Sequence, residues 1–234
     1  MCNFKSALCL KDRVFVPDYD SHDQMLAELK IPDDFAHASK VFVRVELSPA
    51  DGDPTSDPMG WRIRIGQDIL PDWFVHEIDE QRVKVAIADW CKVHVLREGT
   101  HEVHEGKWIA TGSSNVVALD SSNVEAWDSS NVEAWDSSKV EAWDSSNVVA
   151  WDSSKVEAWD SSNVVARGSS NVEAWDSSKV VARGSSKVVA RGSSTIILPK
   201  NWQTVNPVQM HDEAICINHK THKVKSAIKW TQED

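Results

Sequence analysis

From Ser113 to Lys200 one octapeptide, Ser-Ser-Asn/Lys-Val-Glu/Val-Ala-Trp/Arg-Asp/Gly, is written eleven times without insertion or deletion, with variants at its ends. A fixed short period means that no unit can bury its own apolar face, so each must stack on copies of itself and the chain must coil as a solenoid. An octad is too short for a helical repeat. Within each unit small or apolar residues alternate with polar or bulky ones, as Ser122, Val124 and Ala126 do with Asn123, Glu125 and Trp127. That is the period of a strand with one face buried. The Asp-Ser-Ser or Gly-Ser-Ser between strands is turn chemistry, because Gly takes positive φ freely while Asp tolerates it and can bond the following backbone. Asp128 and Gly168 therefore hold equivalent corners. The pattern predicts parallel strands about 4.8 Å apart in a β-solenoid over residues 105–200. Its inward Ser, Val and Ala are all small, which predicts a narrow, flattened coil.

The outward residues bear on how many octads make one coil. With two per coil, one face collects Glu125, Glu141, Glu157 and Glu173 beside Trp127, Trp143, Trp159 and Trp175, and the other collects Val117, Glu133, Val149, Val165 and Val181. A three-sided coil, the alternative, mixes these identities in every column, so two octads per coil are favoured. Stacked carboxylates repel one another, and Lys139 and Lys155 stand two residues before Glu141 and Glu157, where they offset part of that repulsion. The same register sets Trp151 below Arg167 and Trp175 below Arg191, which are cation–π steps. Charge is uneven along the repeats: ten acids and two Lys from Ser113 to Asp160 (net −8), two acids and six bases from Ser161 to Lys200 (net +4).

Residues 1–104 read as a small α+β domain. Arg13 to Pro17 is a short strand, and Ser21-His-Asp-Gln24 opens a helix through Lys30 with a capping box. Strands follow at Lys40 to Leu47 and Trp61 to Ile65, separated by a loop rich in Asp, Pro and Gly. A helix of about Glu77 to Val95 places Val83, Ala86, Ile87, Trp90 and Val93 or His94 in the core. Gly106 to Gly112 matches the octad loosely and forms a first, sealing rung, continuous with the domain before it. At the far end Ser193 to Pro199 enlarges the core residues and then inserts a proline that cannot donate to the next rung. Residues 201–234 form a cap, with Glu213 to Asn218 and Lys223 to Trp230 as a β-hairpin around His219-Lys-Thr-His222.

Chemistry is sparse. The net charge of −11 leaves no basic footprint for nucleic acid, and no apolar run approaches a membrane span. With no such run, a cytoplasmic protein is expected, and Cys2, Cys9, Cys91 and Cys216, which form no CxxC pair, read as reduced thiols. Cys2 alone invites a sharper thought: removal of Met1 would leave a free amine beside a thiol, as in N-terminal nucleophile hydrolases. No Gly-rich oxyanion signature follows it. The pairs His101/His104 and His219/His222 fall short of the three or four convergent ligands a metal needs. No phosphate-binding Gly loop, GxSxG or HExxH occurs, so no catalytic residue, metal or cofactor is expected.

The segments Met1-Cys-Asn-Phe4, Asp20-Ser-His22, Phe42-Val-Arg-Val-Glu46 and Pro71-Asp-Trp-Phe74, followed by Ser-Ser-x-Val repeats, resemble a group of uncharacterised proteins from tailed phages and gut bacteria with short-repeat β-solenoid tails. The resemblance covers residues 1–200. It implies layout and provenance, with association to a virion as the alternative to a free cytoplasmic protein, and it carries over no catalytic residue.

The function expected is therefore a non-enzymatic structural or interaction protein that presents a rigid, repetitive, aromatic and acidic face to a protein or glycan partner. The binding residues expected are Trp127, Trp143, Trp159 and Trp175 with Glu125, Glu141, Glu157 and Glu173, since contiguous exposed apolar area marks a partner site. The bland reading of the Trp column is a stacked ladder that only stiffens one wall. Alternatives are a DNA mimic that occupies a DNA-binding enzyme, an N-terminal-Cys hydrolase, and an ice-binding face, for which the ranks of outward Thr are missing. Self-association is expected to join the basic end of one copy to the acidic half of another.

Overall fold

A computed structural model describes residues 4–50, 52–200, 208–219 and 223–226. The chain divides into two compact units, Met1–Val95 and Leu96–Asp234.

The first unit is a four-stranded antiparallel sheet in the order β2, β1, β3, β4, made of β1 (Lys5–Leu10), β2 (Val14–Phe15), β3 (Phe42–Ser48) and β4 (Arg62–Ile65), with helices α1 (His22–Glu28), α2 (Phe35–Ala38) and α3 (His76–His94). The Ser21 side chain caps α1 by accepting from the Gln24 N–H, as its sequence predicts. Met25 and Leu26 of α1 pack on Leu8, Leu10 and Phe42. On α3, Val83, Ile87 and Trp90 are buried while Val93 is exposed, so the last core-facing position belongs to the half-buried His94. Its ring stacks on Trp90 at 4.3 Å. The central strand β1 is buried along its whole length, which leaves no alternation to read in the sequence. Its Lys5 is tolerated there because Nζ donates to Tyr19 O at 2.9 Å and to Asp20 Oδ1 at 2.8 Å.

The second unit is a parallel β-solenoid of about seven turns. From Lys107–Ala110 to Thr195–Leu198 the strands pair in parallel at a spacing of sixteen residues, as Val132 does with Val148 and Glu141 with Glu157. Two octads thus make one coil, and the strands sort into two facing sheets. One, here the glutamate sheet, runs through Val95–Leu96, Lys107–Ala110, Asn123–Ala126, Lys139–Ala142, Lys155–Ala158, Asn171–Ala174, Lys187–Ala190 and Val208–Met210. The other, the valine sheet, runs through Thr100–Val103, Asn115–Ala118, Asn131–Ala134, Asn147–Ala150, Asn163–Ala166, Lys179–Ala182, Thr195–Leu198 and Ile215–Asn218.

The narrow core follows from the inward side chains. Val148 is 1% exposed, and Ala150 and Ser146 are wholly buried; the other octads repeat this set up to the last, which buries Ser194, Ile196 and Leu198. Corners turn through left-handed residues: Asp128 has φ 58° and Gly168 φ 59°. These are the equivalent positions that their alternation in the sequence implies. Backbone bonds continue around the corners, with the Trp143 N–H on Ala126 O at 2.8 Å and the Ser145 N–H on Asp128 O at 3.0 Å. Asp carboxylates reinforce the stack, because Asp144 Oδ2 accepts from the Asp128 N–H at 3.3 Å and Asp160 Oδ2 from the Asp144 N–H at 3.4 Å.

Both ends depart from the octad. Thr100–Val103 pairs in parallel with Asn115–Ala118 fifteen residues on, one short of the coil spacing, and its sequence hides the motif. Beyond Pro199 the spacing lengthens: Val188 pairs with Val208 and Thr195 with Ile215, twenty residues apart, so two further strands join the sheets. Lys223–Ser226 then folds back antiparallel on Ile215–Asn218 as a hairpin.

Candidate functional site

The glutamate sheet brings the expected residues together. Glu125, Glu141, Glu157 and Glu173 are direct partners in successive rungs. Two residues further along each strand stand Trp127, Trp143, Trp159 and Trp175, half-buried. Their rings stack at centroid distances of 5.3, 5.2 and 4.9 Å with interplanar angles of 11°, 7° and 5°. The Arg191 guanidinium closes the column, its Cζ 4.8 Å from the Trp175 centroid. Ring faces are therefore used by neighbouring rings, and what the column turns to solvent is ring edges. The indole Nε1–H groups of these four residues are buried with no hydrogen-bond partner among the described residues.

A second stack occupies the matching corner of the valine sheet: Trp135 on Trp151 at 4.8 Å, with Arg167 4.3 Å above Trp151. The two cation–π steps stand as the register predicts. The Trp135 and Trp151 stack was readable from the same sixteen-residue spacing but is not among the expected binding residues.

Electrostatics set the glutamate column apart. Lys107 Nζ pairs with Glu125 Oε1 at 3.0 Å across neighbouring rungs. Among the described residues no ion pair forms at Glu141, Glu157 or Glu173, so Lys139 and Lys155 do not supply the close compensation their spacing promised. Glu141 is exposed as a residue, but its carboxyl stands between two others. Its pKa is raised, first by burial of the carboxyl and then by the charges of Glu125 and Glu157, with Lys107 opposing. Asp128 moves the other way: the Thr111 hydroxyl and the Gly112 N–H both donate to its carboxylate and hold its pKa below the ordinary value. A groove of about 520 Å³ runs over this sheet, along Lys139, Glu141, Lys155 and Glu157 toward Glu173 and Lys187.

The chain matches no family model, no curated protein and no solved structure.

Elsewhere, thiols and imidazoles are held in structural contacts. Cys9, Cys91 and Cys216 are free and buried. Burial, and then the nearby Asp79, push the Cys9 thiol up to about 11 against the pull of Arg82; burial likewise raises Cys216. Neither is poised as a nucleophile, which requires thiolate near neutral pH. Cys2 and His222 lie outside the described residues. His104 bonds Asp120 at 2.8 Å and Glu102 at 3.1 Å, and these bonds raise its pKa. The His101 ring contacts the Glu98 carbonyl. No cluster of three His, Cys, Asp or Glu able to hold a metal ion occurs among the described residues, and no described helix is long and apolar enough to cross a membrane.

Proposed function

We propose that the protein is a non-enzymatic interaction module whose glutamate sheet, edged by the tryptophan stack, is the recognition surface for a protein partner that lays an extended basic segment along the column. A repeat solenoid is compatible with a structural or interaction role. The observation that carries the finer reading is the self-repelling column: four glutamates are held in register, with the Glu141 carboxyl pushed toward its neutral form. Folding does not require them, because Val189 continues the same column one rung beyond Glu173. Like charges opposed across strands cost about 0.2–1 kcal/mol per contact, a cost that a row of cations at the rung spacing of about 4.8 Å would remove. The half-buried indole edges supply apolar contact beside the charges.

Capture from host extract tests this with wild type, Glu141→Val/Glu157→Val, Trp143→Thr/Trp159→Thr and Cys2→Ala in parallel. One protein partner lost from both the Glu and the Trp variants is the expected result. Loss from the Trp variant alone, with carbohydrate eluting the partner, would favour a glycan. Capture of a DNA-binding enzyme that depends on the acidic half would favour the DNA mimic, and an effect confined to Cys2→Ala would contradict the non-enzymatic reading.

A further inference from the structure

The outer face of the valine sheet has a different character. Its middle column, Val149, Val165, Val181 and Ile197, is half-buried and apolar over four consecutive rungs, beside a ladder in which the Asn147 amide donates to Asn131 and the Asn163 amide to Asn147. From Asn115 to Leu198 the outward positions of these strands hold one acid, Glu133, and one base, Lys179. We infer that this face is the interface of an antiparallel homodimer in which two copies pack valine sheet on valine sheet. The inference does not depend on the recognition role of the opposite sheet.

The placement of the two charges carries it. The parallel strands of the sheet run from Thr100–Val103 to Ile215–Asn218, and their midpoint falls between Asn147–Ala150 and Asn163–Ala166. A twofold axis in the interface, parallel to the strands and passing through that midpoint, sets Val149 of one copy on Val165 of the other. Glu133 stands on the strand next to the central pair on one side, and Lys179 on the strand next to it on the other. The axis therefore brings each Glu133 over the strand of a Lys179, twice by symmetry. The two are offset by two residues, about 6.6 Å along the strand, with sheets about 10 Å apart, a gap that long side chains bridge.

At the strand borders the same axis opposes Trp135 to Arg183 and Trp151 to Arg167. The glutamate sheet fails this test, since the corresponding axis would set Glu141 on Glu157 and Lys139 on Lys155, like on like. Only the valine face is complementary to itself. In this arrangement the acidic half of one copy would lie over the basic half of the other, across faces and not end to end as expected from the sequence.

Sedimentation velocity on the full chain, with circular dichroism to confirm folding, tests the interface. Wild type is expected as a dimer at micromolar concentration. Glu133→Lys or Lys179→Glu alone places like charges together at both symmetric contacts and should weaken dimerisation on the order of 100-fold. The double variant Glu133→Lys/Lys179→Glu should restore it to within about threefold. A monomeric wild type, single variants that dimerise normally, or folded single variants that the second reversal does not rescue would each overturn the inference.

Discussion

The two sheets of the solenoid are built from one octad and bury the same Ser, Val and Ala, yet they show solvent different chemistry. The glutamate sheet carries Glu125 to Glu173 and Lys139, Lys155 and Lys187 on its outer face, whereas the valine sheet carries Asn115 to Asn163 and Val149, Val165 and Val181. What they share is what folds the chain. What they do not share is free of the folding requirement and so can serve recognition, and substitutions at adjacent positions should separate the two.

The largest difference is expected between neighbours on one strand. Val148 is 1% exposed while Val149 faces outward half-buried. Val148→Asp puts a carboxylate into a core with no partner and should cost more than about 4 kcal/mol, enough to abolish cooperative unfolding of the repeats. Val149→Asp should leave each coil folded, costing the single chain about 1 kcal/mol or less apart from any loss of the contact between valine sheets. Urea unfolding followed by circular dichroism distinguishes them, and equal effects would mean that the inward and outward phase is misassigned.

Next comes the aromatic stack. Trp143→Thr/Trp159→Thr removes all three contacts of the Trp127 to Trp175 column, each worth about 0.5–1.5 kcal/mol, so a loss of about 2–4 kcal/mol is expected from the same measurement. A loss below about 0.5 kcal/mol would show that the stack contributes little to the wall.

Acid titration should show two opposite signs. Between its unfolded value and its raised folded value, Glu141 binds more proton in the folded state, so its contribution to stability falls as pH rises through that window and returns on acidification. For Asp128 the folded pKa is lowered, and the stability it contributes is present above its unfolded value and is lost as pH falls through the folded one. Melting temperature followed downward from pH 7 should therefore decline less in wild type than in Glu141→Gln, while Asp128→Asn should be lower at pH 7 and converge with wild type in acid. Parallel curves for all three would contradict these assignments.

The smallest effect belongs to the buried serines. Ser122 Oγ donates to Leu119 O at 2.9 Å and Ser154 Oγ to Trp151 O at 2.7 Å, while the hydroxyls of Ser138 and Ser146 are buried without a partner among the described residues. Ser138→Ala should be neutral or stabilising within about 1 kcal/mol, whereas Ser122→Ala should destabilise by about 0.5–1.5 kcal/mol. Calorimetry on the pair checks the difference.

Much of this was legible because repetition multiplies a weak signal. One Ser-x-Val-x-Ala segment is ambiguous, but ten in register fix the strand period, and sorting of Glu and Trp against Val selects two octads per coil. The glutamate and tryptophan columns followed from that choice. The features that escaped are those where burial or charge breaks alternation. Strand β1 is buried on both faces and begins with a charged Lys5, whose partners Tyr19 and Asp20 are distant in sequence. Thr100–Val103 joins the solenoid one residue short of the coil spacing, with His101 paired to the inward Val116 of the next strand. The last rungs change spacing from sixteen to twenty residues. Within the site, the ion pair at the column joins Lys107 to Glu125 on the neighbouring rung, whereas the sequence points to compensation from Lys139 and Lys155, two residues away on the same strand.

The central claim is that the glutamate column burdens the fold and is retained for what it meets. Its most direct test replaces Glu125, Glu141, Glu157 and Glu173 by Gln, the residue that Gln209 already supplies where that column continues past Val189, and measures stability by urea unfolding at pH 7 and again below the glutamate range. The account predicts that the Gln variant is the more stable protein at pH 7 and that the difference closes in acid; a variant less stable than wild type at pH 7 would contradict it.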